Sequence, residues 1–253
     1  MTHTDREIFD QSAQFYDLIY ADRDSHAETQ WILNQLTQAG VRQPARILEL
    51  GSGTGRHAVL FGAAGHSVTG VEPSPQMLDR AQVHPRVKYV PGDARSIRID
   101  EPFDAVLALF HVLSYHTSAH DIEKFFETVS AHLPSGGIFG FDTWFTPAVH
   151  ALRPEKRTLT KESQDLHISR VATPTEYLSQ SMVTVTYDCT ITVKATTETH
   201  SFVEAHHMRH FTETEIASLA IQHGFEILDT REFLTGREAS RETWGVWFTL
   251  RKI

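Results

Sequence analysis

The residues whose types and spacing bear most directly on chemistry are a carboxylate and three alternating glycines, Glu49-Leu-Gly51-Ser-Gly53-Thr-Gly55. An apolar run from Ile47 to Leu50 precedes them, and a helix is expected to open near Arg56 and run to Ala64. Bulky side chains at the glycines would obstruct the turn or hold a ligand off the backbone, so the alternation predicts a molecule lying against bare main chain. A second acid, Glu72, closes the next apolar run, Ser67 to Val71, twenty-three residues beyond Glu49. At the tip of the second strand of a βαβ unit, a carboxylate is placed to accept hydrogen bonds from both hydroxyls of a ribose. The expected ligand therefore contains a nucleoside.

Two features bear on which nucleoside it is. A dinucleotide fingerprint has a glycine at the sixth position from Gly51, where this chain has Arg56. Glu49 beside the loop would repel a pyrophosphate but suits the ammonium group of an amino acid. Both features favour S-adenosylmethionine over NAD.

Taken together, Glu49-Leu-Gly-Ser-Gly-Thr-Gly55, Glu72, Pro75-Gln-Met77 and Gly92-Asp93-Ala94 resemble the successive motifs of class I S-adenosylmethionine-dependent methyltransferases. The resemblance covers about residues 30 to 145 by motif and, more loosely, the whole chain. It implies S-adenosyl-L-methionine as cofactor and S-adenosyl-L-homocysteine as product. It also implies that Asp93 accepts the adenine amino hydrogen and that Met77 lays its thioether against the adenine ring. Tyr16-Asp-Leu-Ile-Tyr20 resembles the lid of small-molecule members, with Tyr20 toward the cofactor and Tyr16 toward the acceptor. Phe110-His-Val-Leu-Ser-Tyr115 resembles a group of bacterial small-molecule enzymes that includes nucleotide-linked amino-sugar N-methyltransferases, and Phe110 is expected against the cofactor. Where some of those sugar enzymes have a histidine, this chain has Tyr115, with His116 next to it. DNA amino-methyltransferases of similar fold carry an Asn/Asp-Pro-Pro-aromatic motif there, and Leu109-Phe-His-Val112 lacks it.

Methyl transfer from a sulfonium is an in-line displacement, so the protein mainly has to align donor and acceptor. A base is needed only to remove a proton, and histidine titrates in the useful range. The candidates are His111 first, His206 second, and Tyr115. On the acceptor side stand Tyr16, His116, Asp142, Trp144 and Arg209, the last able to pair with a phosphate or carboxylate or else to stabilise its own sheet. A non-catalytic cofactor-binding protein would carry the same loop, and another metabolite or a peptide terminus would be methylated by the same chemistry.

The elements that position these residues follow from periodicity. Helices are expected over Asp5–Phe9, Ala13–Tyr20 and Ser25–Ala39, with Ser25 as N-cap, forming a lid within residues 1–40. Apolar strands near 46–50, 67–71, 87–90, 104–109 and 136–141 alternate with helices near 56–64, 75–82 and 119–132. That pattern predicts an α/β fold with a doubly wound, mostly parallel seven-stranded sheet, completed by a helix from Glu213 and a closing antiparallel pair. Within residues 146–211 the β-branched run Met182–Val193 and the alternating His200–Phe211 predict an inserted antiparallel sheet that closes the acceptor pocket or serves a homodimer contact. Its alternation sets Glu204, His206, Met208 and His210 on one face and His207, Arg209 and Phe211 on the other.

Composition narrows the remaining classes. The chain has 253 residues and a formal charge of −9 without a basic run, which disfavours nucleic acid as partner. No run approaches the ~18 apolar residues of a membrane span, and a single cysteine, Cys189, permits no intrachain disulfide. A cytoplasmic, membrane-free enzyme with a small-molecule substrate is expected. Sixteen histidines raise the question of metal, but none falls in a ligand spacing such as H-E-x-x-H, and no metal is expected.

Overall fold

The computed structural model describes residue 9 and residues 11–253. The helix expected over Asp5–Phe9 therefore lies, apart from Phe9, outside the described residues. After a 3₁₀ turn at Ala13–Phe15 come the short α1 (Tyr16–Ile19) and α2 (Ser25–Gln38). The cap of α2 is Asp24, whose carboxylate accepts the Ala27 N–H, so Ser25 is the first helical residue and not the N-cap.

The core strands are β1 (Arg46–Leu50), β2 (Ser67–Glu72), β3 (Val87–Pro91), β4 (Ala105–Ala108) and β5 (Ile138–Trp144). Between them lie α3 (Arg56–Ala63), α4 (Pro75–Leu78) and α5 (Ala119–His132), the last capped by Ser118. β1 pairs in parallel with β2 on one side and β4 on the other. Ile47, Leu48 and Leu50 are fully buried there, as expected of a strand covered on both faces. The chain winds outward from β1 through β2 to β3 and, in the other direction, through β4 to β5. The order thus reverses between β1 and β4, and the crevice at the carboxyl ends of these strands is where an open α/β sheet binds ligands.

β5 runs three residues beyond the predicted end, which puts Asp142 and Trp144 on the strand and pairs Asp142 with Trp247. An apolar run is legible to Phe141, but the ladder continues because a partner strand is present. The inserted sheet is a four-stranded antiparallel meander of β6 (Arg157–Glu162), β7 (Leu166–Tyr177), β8 (Met182–Val193) and β9 (Thr199–Arg209). It follows α6 (Thr146–Leu152). One face of this sheet buries Ile168, Cys189, Ile191 and Phe202 against Phe15 and Ile19 of the lid segment. Glu204, His206 and Met208 share the inward face of β9, while His207 is exposed.

Phe211 does not share the outward face with His207. The pleat ends with the ladder at Arg209, and Phe211 turns into the main core, bridging Phe145. Thr212 and Glu215 then form a reciprocal capping box that opens α7 (Glu213–Gln222). The chain closes with β10 (Phe225–Glu232) and β11 (Gly245–Lys252), the latter antiparallel to both β5 and β10. The main sheet therefore has seven strands in the order β10-β11-β5-β4-β1-β2-β3.

The three loop glycines differ in what demands them. All adopt left-handed backbone, with φ of +70° at Gly51, +55° at Gly53 and +76° at Gly55. A Cβ on Gly51 would lie 2.6 Å from Val112 Cγ2, and one on Gly55 only 1.9 Å from the Tyr89 hydroxyl oxygen. A Cβ on Gly53 would meet nothing within 4 Å. A side chain at Gly51 or Gly55 is thus excluded by the protein's own side chains, whereas one at Gly53 would meet only open space. Gly55→Ala is expected to lower unfolding free energy in urea by more than the ~1–2 kcal/mol of left-handed strain, because Tyr89 must also move. Gly53→Ala should cost only the strain. Equal losses in the two variants would contradict this assignment.

Candidate active site

At the β1/β4 switch point the loop, the ends of β2, β3 and β4, and the lid enclose a cavity of about 660 Å³. Gly51 and Ser52 donate their N–H groups to the Val71 carbonyl, which straps the loop to β2. Glu72 stands at the end of that strand. Its Oε2 accepts the Gly53 N–H at 2.9 Å and its Oε1 the Ser74 N–H at 3.0 Å. Glu49, on the neighbouring strand, is 2 % exposed, and its Oε2 has no hydrogen-bond partner among the described residues. Met77 and Asp93 also line the cavity. Asp93 is gripped by Arg95, whose Nη2 donates to Oδ2 at 2.6 Å. Burial works to raise the Asp93 carboxyl, and the Arg95 donors outweigh it and hold it below the usual carboxylate range.

The lid is tied down on both sides. Thr54 Oγ1 donates to Asp17 Oδ1 at 2.8 Å, and Arg56 Nη1 donates to the Tyr20 carbonyl at 2.9 Å. Arg56, which occupies the position that would be glycine in a dinucleotide fingerprint, is therefore a clamp on the lid. The Tyr16 and Tyr20 rings meet at a tilt with centroids 4.8 Å apart, and Tyr20 meets Phe110 edge-on at 5.1 Å. The Arg23 guanidinium lies 3.8 Å from the Phe110 centroid and pairs with Glu28. From the inserted sheet Arg170 reaches the Tyr20 hydroxyl at 3.1 Å and lies between the rings of Tyr20 and Tyr187.

Tyr16, Tyr20, Phe110, Tyr115 and His116 all line the cavity. The Tyr115 hydroxyl is hydrogen-bonded at 2.9 Å to His206 Nδ1, so His206, itself 4 % exposed, stands behind Tyr115 and does not line the wall. His111 is placed differently from its expected role as first candidate base. Its Nδ1 lies 2.7 Å from Asp142 Oδ2, and it is absent from the cavity lining. Asp142, expected on the acceptor side, is absent from the cavity lining too. It holds the turn after β4, where its Oδ1 accepts the Phe110 N–H at 2.7 Å and where Phe110 and His111 are both left-handed, at φ +61° and +64°. Burial works to raise the Asp142 carboxyl, and the charge and hydrogen bonds of His111 bring it below its ordinary value.

Trp144 packs against Trp244 and the Val149–Val183 cluster, away from the cavity. Arg209 is engaged by Glu215 of α7 at 3.1 Å and lies over Phe211, which ties the end of β9 to the main domain, and it is absent from the cavity lining. His207 bonds Thr184, and His210 bonds Thr146 with its pKa pushed down to about 4 by burial and by His150. The residues that sequence reasoning missed are Arg23, Asp17, Thr54, Arg170 and Glu204. Of these only Glu204 had a legible signal, its two-residue spacing from His206 on the inward face of a strand.

Residues 47–137 match the methyltransferase domain family. Over 250 residues the chain is 26 % identical to a Bacillus subtilis (strain 168) protein provisionally named methyltransferase YqeM, covering 97 % of each. It is 27 % identical over 165 residues to the dTDP-3-amino-3,4,6-trideoxy-alpha-D-glucopyranose N,N-dimethyltransferase of Streptomyces venezuelae, covering 61 % of this chain and 69 % of that one. The solved structure of S-adenosylmethionine-bound CalS10, an amino pentose methyltransferase of Micromonospora echinaspora, superposes with a TM-score of 0.76 at 23 % identity, covering 95 % and 97 % of the two chains. The chain is an S-adenosylmethionine-dependent methyltransferase.

The residues of this methyltransferase fit its cofactor by their own chemistry. Glu49 offers a buried, unpartnered carboxylate oxygen to an ammonium group, Glu72 offers charged oxygens at the strand tip, and Gly53 offers open main chain between them. Burial, with Glu72 adding its charge, pushes the Glu49 carboxyl up to about 8. In the free methyltransferase Glu49 therefore holds its proton through neutral pH, and an ammonium partner draws it into the charged form with release of that proton. The consequence for stability has a definite sign. The folded carboxyl keeps its proton to about pH 8 while the unfolded one loses it near 4.5, so unfolding free energy falls as pH rises across that window, by on the order of a few kcal/mol. Glu49→Gln should flatten this loss, raise Tm at pH 8, and weaken S-adenosylhomocysteine binding at least ~10-fold, the scale of a lost charged hydrogen bond. Thermal melts from pH 5 to 9 and calorimetric titration check both. A Tm at pH 8 that does not rise would return Glu49 to an ordinary carboxylate.

Proposed function

We propose that the acceptor is a small molecule bearing a primary or secondary amine, of the nucleotide-linked amino-sugar class, and that it enters the part of the cavity walled by Phe9, Tyr16, Tyr20 and Tyr115. The observation that carries this reading is Tyr115, which lines the cavity and whose hydroxyl is hydrogen-bonded to the buried His206. Bound S-adenosylmethionine supplies a methyl group already activated by its sulfonium.

The protein's share is alignment and proton management. An amine attacks only through its lone pair, so a protonated amine must first give up a proton. Tyr115 cannot do this as a standing phenolate, because burial, with Tyr20, Tyr187, Tyr16 and Glu204 around it, holds its pKa well above the usual value. The phenol oxygen instead accepts a hydrogen bond from the amine and passes the proton on to an imidazole. His206 takes the place of His111 as candidate base because it is reached from the cavity through one hydroxyl, whereas His111 is bound to Asp142. Tyr16, Tyr20 and Phe9 exclude water and offer aromatic faces to a cationic or sugar-bearing acceptor. The likeness to the Streptomyces venezuelae dimethyltransferase of a dTDP-amino sugar supports an amine over a hydroxyl.

Two titrations and one transfer assay test the reading. S-adenosylhomocysteine should bind with micromolar affinity and NAD should not. Labelled methyl from S-adenosylmethionine should then pass to dTDP-3-amino-3,4,6-trideoxy-α-D-glucopyranose, and Tyr115→Phe should lower turnover far more than cofactor affinity. Binding without transfer to this or any other amine would leave a cofactor-binding protein and end the proposal.

A further inference from the structure

The inward face of the inserted sheet carries one group whose arrangement packing alone does not require. Glu204 is 7 % exposed, and its Oε1 accepts the N–H groups of Gln11 at 3.2 Å and Ser12 at 3.0 Å, two residues of the N-terminal segment nearly two hundred positions away. Its other oxygen stands 3.7 Å from His206 Nε2, which is buried and has no hydrogen-bond partner. That distance exceeds a hydrogen bond, so carboxylate and ring nitrogen face each other across a short gap. The opposite ring nitrogen, Nδ1, is the one bonded to Tyr115.

The groups around the His206 ring come from every element packed on it. They are Glu204 on β9, Tyr187 and Cys189 on β8, Arg170 on β7, Tyr16 and Tyr20 from the lid, and Tyr115 from the turn after β4. Glu204 alone among them is an anion. Arg170, the one fixed cation, is turned to Tyr20 and Tyr187. Burial works to raise the Glu204 carboxyl, and the facing His206 and Ser12 donors outweigh it and keep it below the ordinary range. A carboxylate opposite Nε2 favours the ring proton on that nitrogen and leaves Nδ1 as a lone-pair acceptor.

We propose that Glu204 is a positioning residue that fixes His206 as its Nε2–H tautomer, so that the Tyr115 hydroxyl must donate to Nδ1 and present its lone pairs to the acceptor. The inference rests on the reading that the acceptor's proton leaves toward Tyr115. The step balances as a double hop. One N–H bond of the acceptor ammonium breaks and its proton joins Tyr115 Oη, while the original Tyr115 proton moves to His206 Nδ1. The resulting imidazolium lies between the neutral phenol and the Glu204 carboxylate. Because the same carboxylate holds Ser12 and Gln11, the base is completed only when the N-terminal segment is seated on the sheet.

The test needs no acceptor. In the full chain labelled with ¹⁵N-histidine, long-range proton–nitrogen spectra report the tautomer of His206. The Nε2–H form is expected in the wild type. Glu204→Gln keeps an oxygen for the Ser12 N–H but removes the charge, and should replace the single Nε2–H form with a mixture of the two tautomers. A purely structural role would leave the tautomer unchanged. An Nδ1–H ring in the wild type, or an unchanged tautomer in Glu204→Gln, overturns the proposal, and the first of these is readable even if the variant does not fold. Failure of the amine reading would appear instead in the transfer assay, with the imidazole spectrum unchanged.

Discussion

Two carboxylates held out of water on adjacent strands beside one loop set the terms for the rest of this structure. Glu49 and Glu72 face a turn of left-handed glycines, and neither has an ion-pair partner among the described residues. Burying a charge without a counter-charge is costly, so one of the pair stays protonated until a cation arrives. Glu72 is partly relieved by two backbone amides that also shape the loop, while Glu49 has no such relief. Such a loop suits an ammonium-bearing ligand better than a pyrophosphate, which the same charges would repel.

A site organised in this way gains from excluding water, and the lid and the inserted sheet do that jointly. The lid touches the glycine loop through Asp17 and the Tyr20 carbonyl, and it touches the sheet through Phe15, Ile19 and the Arg170–Tyr20 contact. Each short hydrogen bond contributes modestly, of order 1 kcal/mol. The apolar surface between lid and sheet supplies a larger and less specific attraction. The polar contacts then select one seating of the lid, because an unmatched buried donor or acceptor costs more than a matched one contributes.

The sheet and the cofactor loop were legible in the sequence for different reasons. Apolar runs such as Ile47–Leu50 and Ala105–Leu109 can only be strands buried on both faces, and Glu49, Gly53 and Glu72 carry their chemistry in their type and spacing. The β-branched Met182–Val193 declared a long strand just as plainly. What resisted reading were contacts closed by tertiary structure. His111 and His206 look alike in sequence, and only the turn after β4 and the register of β9 decide that one meets Asp142 and the other Tyr115. Phe211 broke the alternation because the ladder that enforces it had ended two residues earlier. At Gly51 and Gly55 the neighbours Val112 and Tyr89, which come from distant segments, also exclude a side chain, a constraint that the local sequence does not display.

The turn after β4 also explains why a proton would leave toward the lid. Two successive left-handed residues without a glycine store strain, and Asp142 offsets it with one oxygen on the Phe110 amide and the other on the His111 ring. An imidazole used in this way is a brace, since taking its Nδ1 away from Asp142 would release the turn that places Phe110 beneath Arg23. His206 carries no such duty. It sits on a regular strand, is enclosed by Phe9, Tyr115 and Tyr187, and has a carboxylate across a gap that protonation of the ring would draw closed. Of two histidines near one cleft, one is tied to the carboxylate that holds the turn and the other to the Tyr115 hydroxyl.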